Sequence, residues 1–376
     1  MRLRGALAPC VLACAAPAPA PMAISQIPVA TTPDAGIRVD PVLERMSRAR
    51  ELSVLRDVPH VSVDRSEWIG KLEAHVAREL PRAEIENEDA FLKALGALPV
   101  DVDYERAVYD AIRGSGGGMY EPLDGTIYLP DDLSRNELDR SLSHESVHAL
   151  QDQHFDLRAF EKYVPGATDT MLARSCLAEG DASVAAGEVF APESSTYIER
   201  ELAAPYVYGS AFVKALRARG GWAEVDRAWT RGKLTTREIL HPEKWPSADL
   251  AEVPAPTFAT LGPAFREASV DVKGELSLLL VLQSIPVNAR VEAPAAGWAG
   301  DRAILVRDGR RTALAWRVRC EDELSAGRTL ALMPTCSDKL TTPISAFRRG
   351  LDVLILVGPA GSRCDLLARW SKEVLP

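Results

Sequence analysis

The chain has 376 residues, a formal net charge of −9, 47% apolar and 26% charged residues, and six cysteines. That length can bury at least one full core and suggests two domains, and the composition is ordinary for a soluble globular protein. An acidic balance with no long basic run argues against a nucleic-acid partner.

The N-terminus reads as a leader rather than as fold: MRLR supplies positive charge, GALAPCVLA is a short apolar run, and AAPAPAP follows. Val11-Leu12-Ala13-Cys14 resembles the lipobox of bacterial lipoproteins, which implies a leader over 1–14 and a lipid anchor at Cys14. The expected localisation is therefore the cell envelope, with plain secretion as the alternative. Pro17, Pro19, Pro21, Pro28 and Pro33 make 15–40 an extended linker. No later stretch approaches the ~20 apolar residues of a spanning helix.

Helices are predicted over 66–80, 87–98 and 103–113. In the last, Tyr104, Val108 and Ile112 recur every four residues and draw one apolar stripe. Pro81 and Pro99 end two of these helices. Asp124-Gly125, between MYEPL and TIYL, predicts a hairpin with a type I′ turn. Ser134 and Glu137 then match a capping box, opening a helix that runs to about His154. After residue 250 the texture changes. A helix over GELSLLLVLQSI precedes two strands, GWAGDRAILV and TALAWRVRC, joined at Asp308-Gly309; a helix, EDELSAGRTLALM, and a strand, LDVLILVGP, follow. The expected fold class is α+β: a catalytic domain over 41–250 and a smaller C-terminal α+β module over 251–376. Beyond the leader the cysteines are Cys176, Cys320, Cys336 and Cys364, with three pairings open. Cys336 with Cys364 is favoured, because both lie in the final module.

The chemistry concentrates in HESVHALQDQH, residues 144–154. Positions four apart on a helix share a face, so His144 and His148 can hold one metal ion, expected to be Zn²⁺. Glu145 flanks them, placed to take a proton from a water on that metal. Two residues compete as third ligand. His154 has the spacing of the H-E-x-x-H-x-x-G-x-x-H pattern, but the glycine that would turn the chain back is Gln151 here. On a continuing helix His154 lies six residues past His148, roughly 240° round the axis, and cannot converge. It is expected to serve as a structural hydrogen-bonding residue. The rival is Glu179, in the helical stretch TDTMLARSCLAEGDASVAAGEVF, whose many small residues suggest close helix packing. Glu179 is the preferred ligand, giving a His₂Glu set with one open position. Asp181 should point elsewhere, and Cys176 should be a small buried thiol.

With LKALGALP, MYEPLDGTIYL, HESVHALQDQHFDL, LAEGDA, YVYGSAFV, EILHPEKW and GWAGDR, the chain resembles gluzincin-type zinc metallopeptidases. It looks closest to bacterial and archaeal exported members of mostly undefined substrate. The resemblance spans about residues 90–305. It implies a zincin-like catalytic domain, zinc on His144, His148 and Glu179, and Glu145 as the base of peptide hydrolysis. The separation of His148 from Glu179 is longer than in the best-known gluzincins, so HFDLRAFEKYVPGATD must form an inserted loop or short helix. From the same stretches come His241 and Tyr208 as candidate catalytic donors to an oxyanion. MYEPL would be the edge strand that pairs with an extended protein or peptide substrate. Two rivals stand beside this reading: a catalytically silent, zinc-stabilised exported binding or assembly protein, and a chain whose function lies in the C-terminal module.

Overall fold

The computed structural model describes residues 40–115, 117–190, 196–246, 250–284, 292–309, 311–337 and 341–376. The expected leader, Cys14 anchor and nearly all of the linker lie outside them. Among the described residues no helix is long and apolar enough to cross a membrane.

The architecture is α+β. Helix α1 (Pro41–Arg50) is capped by Asp40, which accepts from Val42 N at 2.7 Å. Strand β1 (His60–Val63) leads to α2 (Arg65–Glu79), α3 (Arg82–Leu95) and α4 (Tyr104–Ser115). Helix α3 starts earlier than predicted, directly after Pro81, and stops at Gly96, whose φ of +74° closes its last turn. Strands β2 (Met119–Glu121) and β3 (Thr126–Pro130) form the expected hairpin, and β1 adds in parallel on the far side of β3. The turn itself differs from expectation. Gly125 has a positive φ, but Asp124 does not, and Gly125 N closes on Glu121 O at 2.8 Å. A type I′ turn needs positive φ at both central residues, so this is a longer loop in which the Asp124 carboxylate accepts from Thr126 N.

Helix α5 (Arg135–Phe155) opens with the full capping box of Ser134 and Glu137. The insertion after it contains the short α6 (Leu157–Phe160), then α7 (Thr168–Ala186), α8 (Tyr197–Thr230) and α9 (Thr236–Leu240). Helix α8 breaks at Gly220 and Gly221, where non-helical dihedrals redirect the chain.

The remainder is β4 (Arg266–Asp271), α10 (Gly274–Ser284), α11 (Glu292–Ala295), β5 (Trp298–Asp308), β6 (Arg311–Cys320), α12 (Glu323–Leu332), β7 (Ile344–Arg349), β8 (Asp352–Val357) and α13 (Cys364–Val374). Its strands form one antiparallel sheet in the order β4-β5-β6-β8-β7. Strand alternation splits this sheet between two cores. Leu314, Trp316, Val318, Val353 and Ile355 join the large core shared with the helices, whereas Ala315, Leu354 and Leu356 pack with Leu367 and Trp370 of α13. Cys336 and Cys364 are disulfide-bonded, fastening the start of α13 to the segment after α12; Cys176 and Cys320 are buried free thiols. The large core runs from Leu43 to Val357 and includes α10, which packs on α7, α8 and α9. Residue 250 therefore marks a change of texture within one continuous core.

Candidate metal centre

Helix α5 is fully buried from Ser143 to Gln151, and α7 is buried on nearly all sides. Such all-round burial of α7 depends on its glycine. A Cβ at Gly180 would stand 2.1 Å from Gly209 C of α8, and one at Gly209 would stand 1.9 Å from Cys176 O. The two helices thus cross backbone against backbone, which fixes the neighbouring Glu179 facing α5.

There Glu179 Oε2 lies 3.1 Å from His144 Nε2 and 3.4 Å from His148 Nε2, and the two Nε2 atoms are 3.1 Å apart. Among the described residues this is the group whose ligand atoms lie close enough together to hold a metal ion. The outer ring nitrogens settle what the inner ones can do. His144 Nδ1 lies 2.7 Å from Glu188 Oε2, and His148 Nδ1 lies 2.8 Å from Gln151 Oε1. Gln151 Nε2 donates to Ala178 O at 3.0 Å, which turns its oxygen toward His148. Each Nδ1 therefore carries its hydrogen outward, so that once a ring has shed its inner proton its Nε2 directs a lone pair inward. Protons on both Nε2 atoms would set two N–H groups against each other. With the inner protons shed, three acceptor atoms converge in a buried space, a set that could hold a cation.

The electrostatics agree. Burial opposes the Glu179 charge, but the imidazoles of His148 and His144 outweigh it and hold its pKa at about 2. Burial also opposes a charged His144, yet the Glu188 and Glu179 carboxylates raise its pKa well above the usual imidazole range. The cluster attracts positive charge, whether proton or metal.

Glu145 is 1% exposed, and its Oε2 accepts from Tyr120 N of β2 at 2.8 Å. The expected edge strand is indeed at the edge of its sheet, but all three of its residues are buried and this outward amide is taken.

His154, on the uninterrupted end of α5, contacts Ser53 O at 2.7 Å, away from the cluster. Asp181 accepts from Arg50 and Trp229, and Cys176 is buried. Two sequence candidates are not brought to the cluster. His241 pairs through Nε2 with Glu275 at 2.7 Å, at the end of α9 opposite to the end that touches Asp169 in the first turn of α7. Asp169 is itself ten residues, roughly 15 Å of helix, from Glu179. Tyr208 lines a separate pocket with Arg200, Leu280 and Gln283. The tyrosine that faces the cluster is Tyr206, with its ring centroid 6.0 Å from that of His144. Two residues along a helix point about 200° apart, which is why the choice between neighbours matters.

Glu188 and Gln151 also escaped the sequence reading. Gln151 had a legible signal: it lies three residues after His148 on the same helix, close enough to meet its ring. Glu188 follows Gly187, whose positive φ ends α7 and folds the chain back, with Glu188 N bonded to Ser183 O.

A family profile described as a domain of unknown function (DUF8575) matches residues 260–331, from just before β4 into α12. The match excludes His144, His148 and Glu179. No curated protein and no solved structure matches the chain.

Proposed function

We propose that the protein is a zinc metallopeptidase with a zincin-like helical half, in which His144, His148 and Glu179 hold the metal and Glu145 is the base. The observation that carries this reading is the convergence of three inward-facing acceptors, with both imidazole tautomers fixed from outside by Glu188 and Gln151. Their separations of 3.1 to 3.4 Å suit a tetrahedral zinc, whose ligand atoms stand roughly 3.3 Å apart for bonds of about 2.0–2.1 Å. Two imidazoles and one carboxylate leave a coordination position open, as a catalytic zinc requires.

When bound, the metal supplies the charge that acidifies water and polarises a carbonyl. Glu145 takes the proton from the water and returns it to the leaving amine. Tyr206, whose ring lies beside that of His144, would be the donor to a developing oxyanion in the role expected of Tyr208. The substrate is a protein or peptide, and the enzyme acts in the cell envelope or outside it, with Cys14 as its lipid anchor.

A second reading, a silent zinc-stabilised binding protein, is favoured by burial: His144, Glu145, His148 and Glu179 are 2%, 1%, 6% and 3% exposed. Metal analysis and peptide hydrolysis separate the two. Wild type and Glu145→Gln should each carry one zinc, with turnover lost only in the variant by about 10³-fold; Glu179→Ala should lose the metal. Zinc in wild type without hydrolysis would select the silent protein, and equal zinc in Glu179→Ala would remove the ligand assignment.

A further inference from the structure

Glu145 reaches its position through a strand, and the way that strand is held assigns a role to Tyr120. Ile127 of β3 donates its amide to Pro59 O at 2.9 Å, so its polar backbone groups face β1. Its cross-strand partner is Tyr120, which therefore belongs to a non-hydrogen-bonded pair and turns its own N–H out of the sheet. That N–H ends on Glu145 Oε2 at 2.8 Å.

The strand has little freedom to move. The Tyr120 phenol donates to Asp152 Oδ2 at 2.8 Å, one turn beyond His148 on α5. The Arg56 guanidinium contacts both the Asp152 carboxylate and the Tyr120 oxygen. One residue on, the Glu121 carboxylate meets His75 Nδ1 at 3.1 Å and Arg78 Nη2 at 2.7 Å. On the other side, a Cβ at Gly118 would stand 3.1 Å from Glu145 Cγ and 3.0 Å from Leu129 Cδ2, so the chain approaches the base more closely than a side chain comfortably allows.

Resting on the hydrolase reading, we infer that Tyr120 is the positioning residue of the base: its phenol locks β2 to α5, and its main-chain amide sets where the Glu145 carboxylate lies. The outward donor of this strand then serves Glu145 and not an incoming peptide. A charged acceptor makes the bond roughly twice as strong as a neutral one, and it costs no reorganisation at the moment of reaction.

The test replaces only the donor. Incorporating the α-hydroxy analogue of tyrosine at position 120 converts the 119–120 amide to an ester and keeps the side chain. On a blocked alanine-rich octapeptide, kcat should fall about thirtyfold, with KM within about twofold and zinc content unchanged, because a transition-state interaction is lost. Tyr120→Phe keeps the amide and should lose only about threefold in kcat. Equal kcat for the ester protein and wild type would overturn the inference. A second readout needs no turnover: in the zinc-loaded protein the Tyr120 amide should exchange hydrogen slowly, and at least about tenfold faster in Glu145→Ala. Unchanged exchange would also overturn it. A wild-type protein that cleaves nothing would instead sink the hydrolase reading, leaving the exchange result to decide the role of Tyr120.

Discussion

Two carboxylates two residues apart on α7 meet opposite surroundings. Asp181 is fully buried and receives its donors from the protein: Arg50 Nε at 2.5 Å and Trp229 Nε1 at 2.8 Å. Arg50 in turn reaches Asp226 at 2.6 Å and lies over the Trp222 ring. Glu179, equally enclosed, meets the inner nitrogens of two imidazoles whose outer nitrogens are paired with Glu188 and Gln151. A buried charge supplied with its own counter-charge is architecture. A buried charge set beside two imidazoles instead offers a donor set that a cation could join, and this is the contrast between the two acids on one helix.

Removing the built-in counter-charge tests that contrast most strongly. Arg50→Met should destabilise the fold by about 3–5 kcal/mol, since Asp181 is left buried without its counter-charge, while zinc affinity of the folded variant stays near wild type. Denaturant melts with parallel metal titration would show this; a large loss of zinc affinity in the folded variant would merge the two clusters into one. Next, Glu188→Gln keeps the shape of the outer shell but removes the charge opposite His144 Nδ1. Zinc affinity should drop roughly 10–100-fold with little change in melting temperature of the metal-free protein. An unchanged affinity would deny Glu188 its tuning role.

The smallest effect is one of pH. A ligand imidazole must shed its inner proton before it binds metal. Burial favours the neutral His144 ring, but Glu188 and Glu179 outweigh burial and raise its pKa. Protons therefore hold the ring below that raised value, so apparent zinc affinity should decline as pH falls, beginning above the ordinary imidazole range. In Glu188→Gln the decline should begin at lower pH. Titrations over a pH series would check both; identical profiles for the two proteins would contradict the assigned cause.

The part of this arrangement readable from sequence was the part governed by local rules. The capping box of Ser134 and the lack of a helix breaker through Gln151 were enough to place His144 and His148 on one face and to exclude His154. Small residues around Glu179 announced a close helix crossing, and Gly180 against Gly209 is its physical form. What escaped was decided by contacts between distant segments. Tyr206 and Tyr208 differ only in which side of α8 faces α5, and no local pattern distinguishes them. Edge strands β4 (REASVD) and β7 (ISAFRR) lie at the margins of the sheet, where apolar alternation is weak. His241 became a candidate only through the family-like stretch EILHPEKW, and its partner, Glu275, comes from the start of α10.

Helix α10 also sets a limit on dissection. Its leucines at 276, 278, 279, 280 and 282 are all inside the shared core. A fragment ending at residue 250 would leave the wall behind α7 and α8 bare, and both Glu179 and the glycine contact beside it depend on that wall. Such a fragment should aggregate rather than reveal an autonomous peptidase. The segment that bears the family match and the segment that bears His144, His148 and Glu179 thus stand or fall together as one packed core.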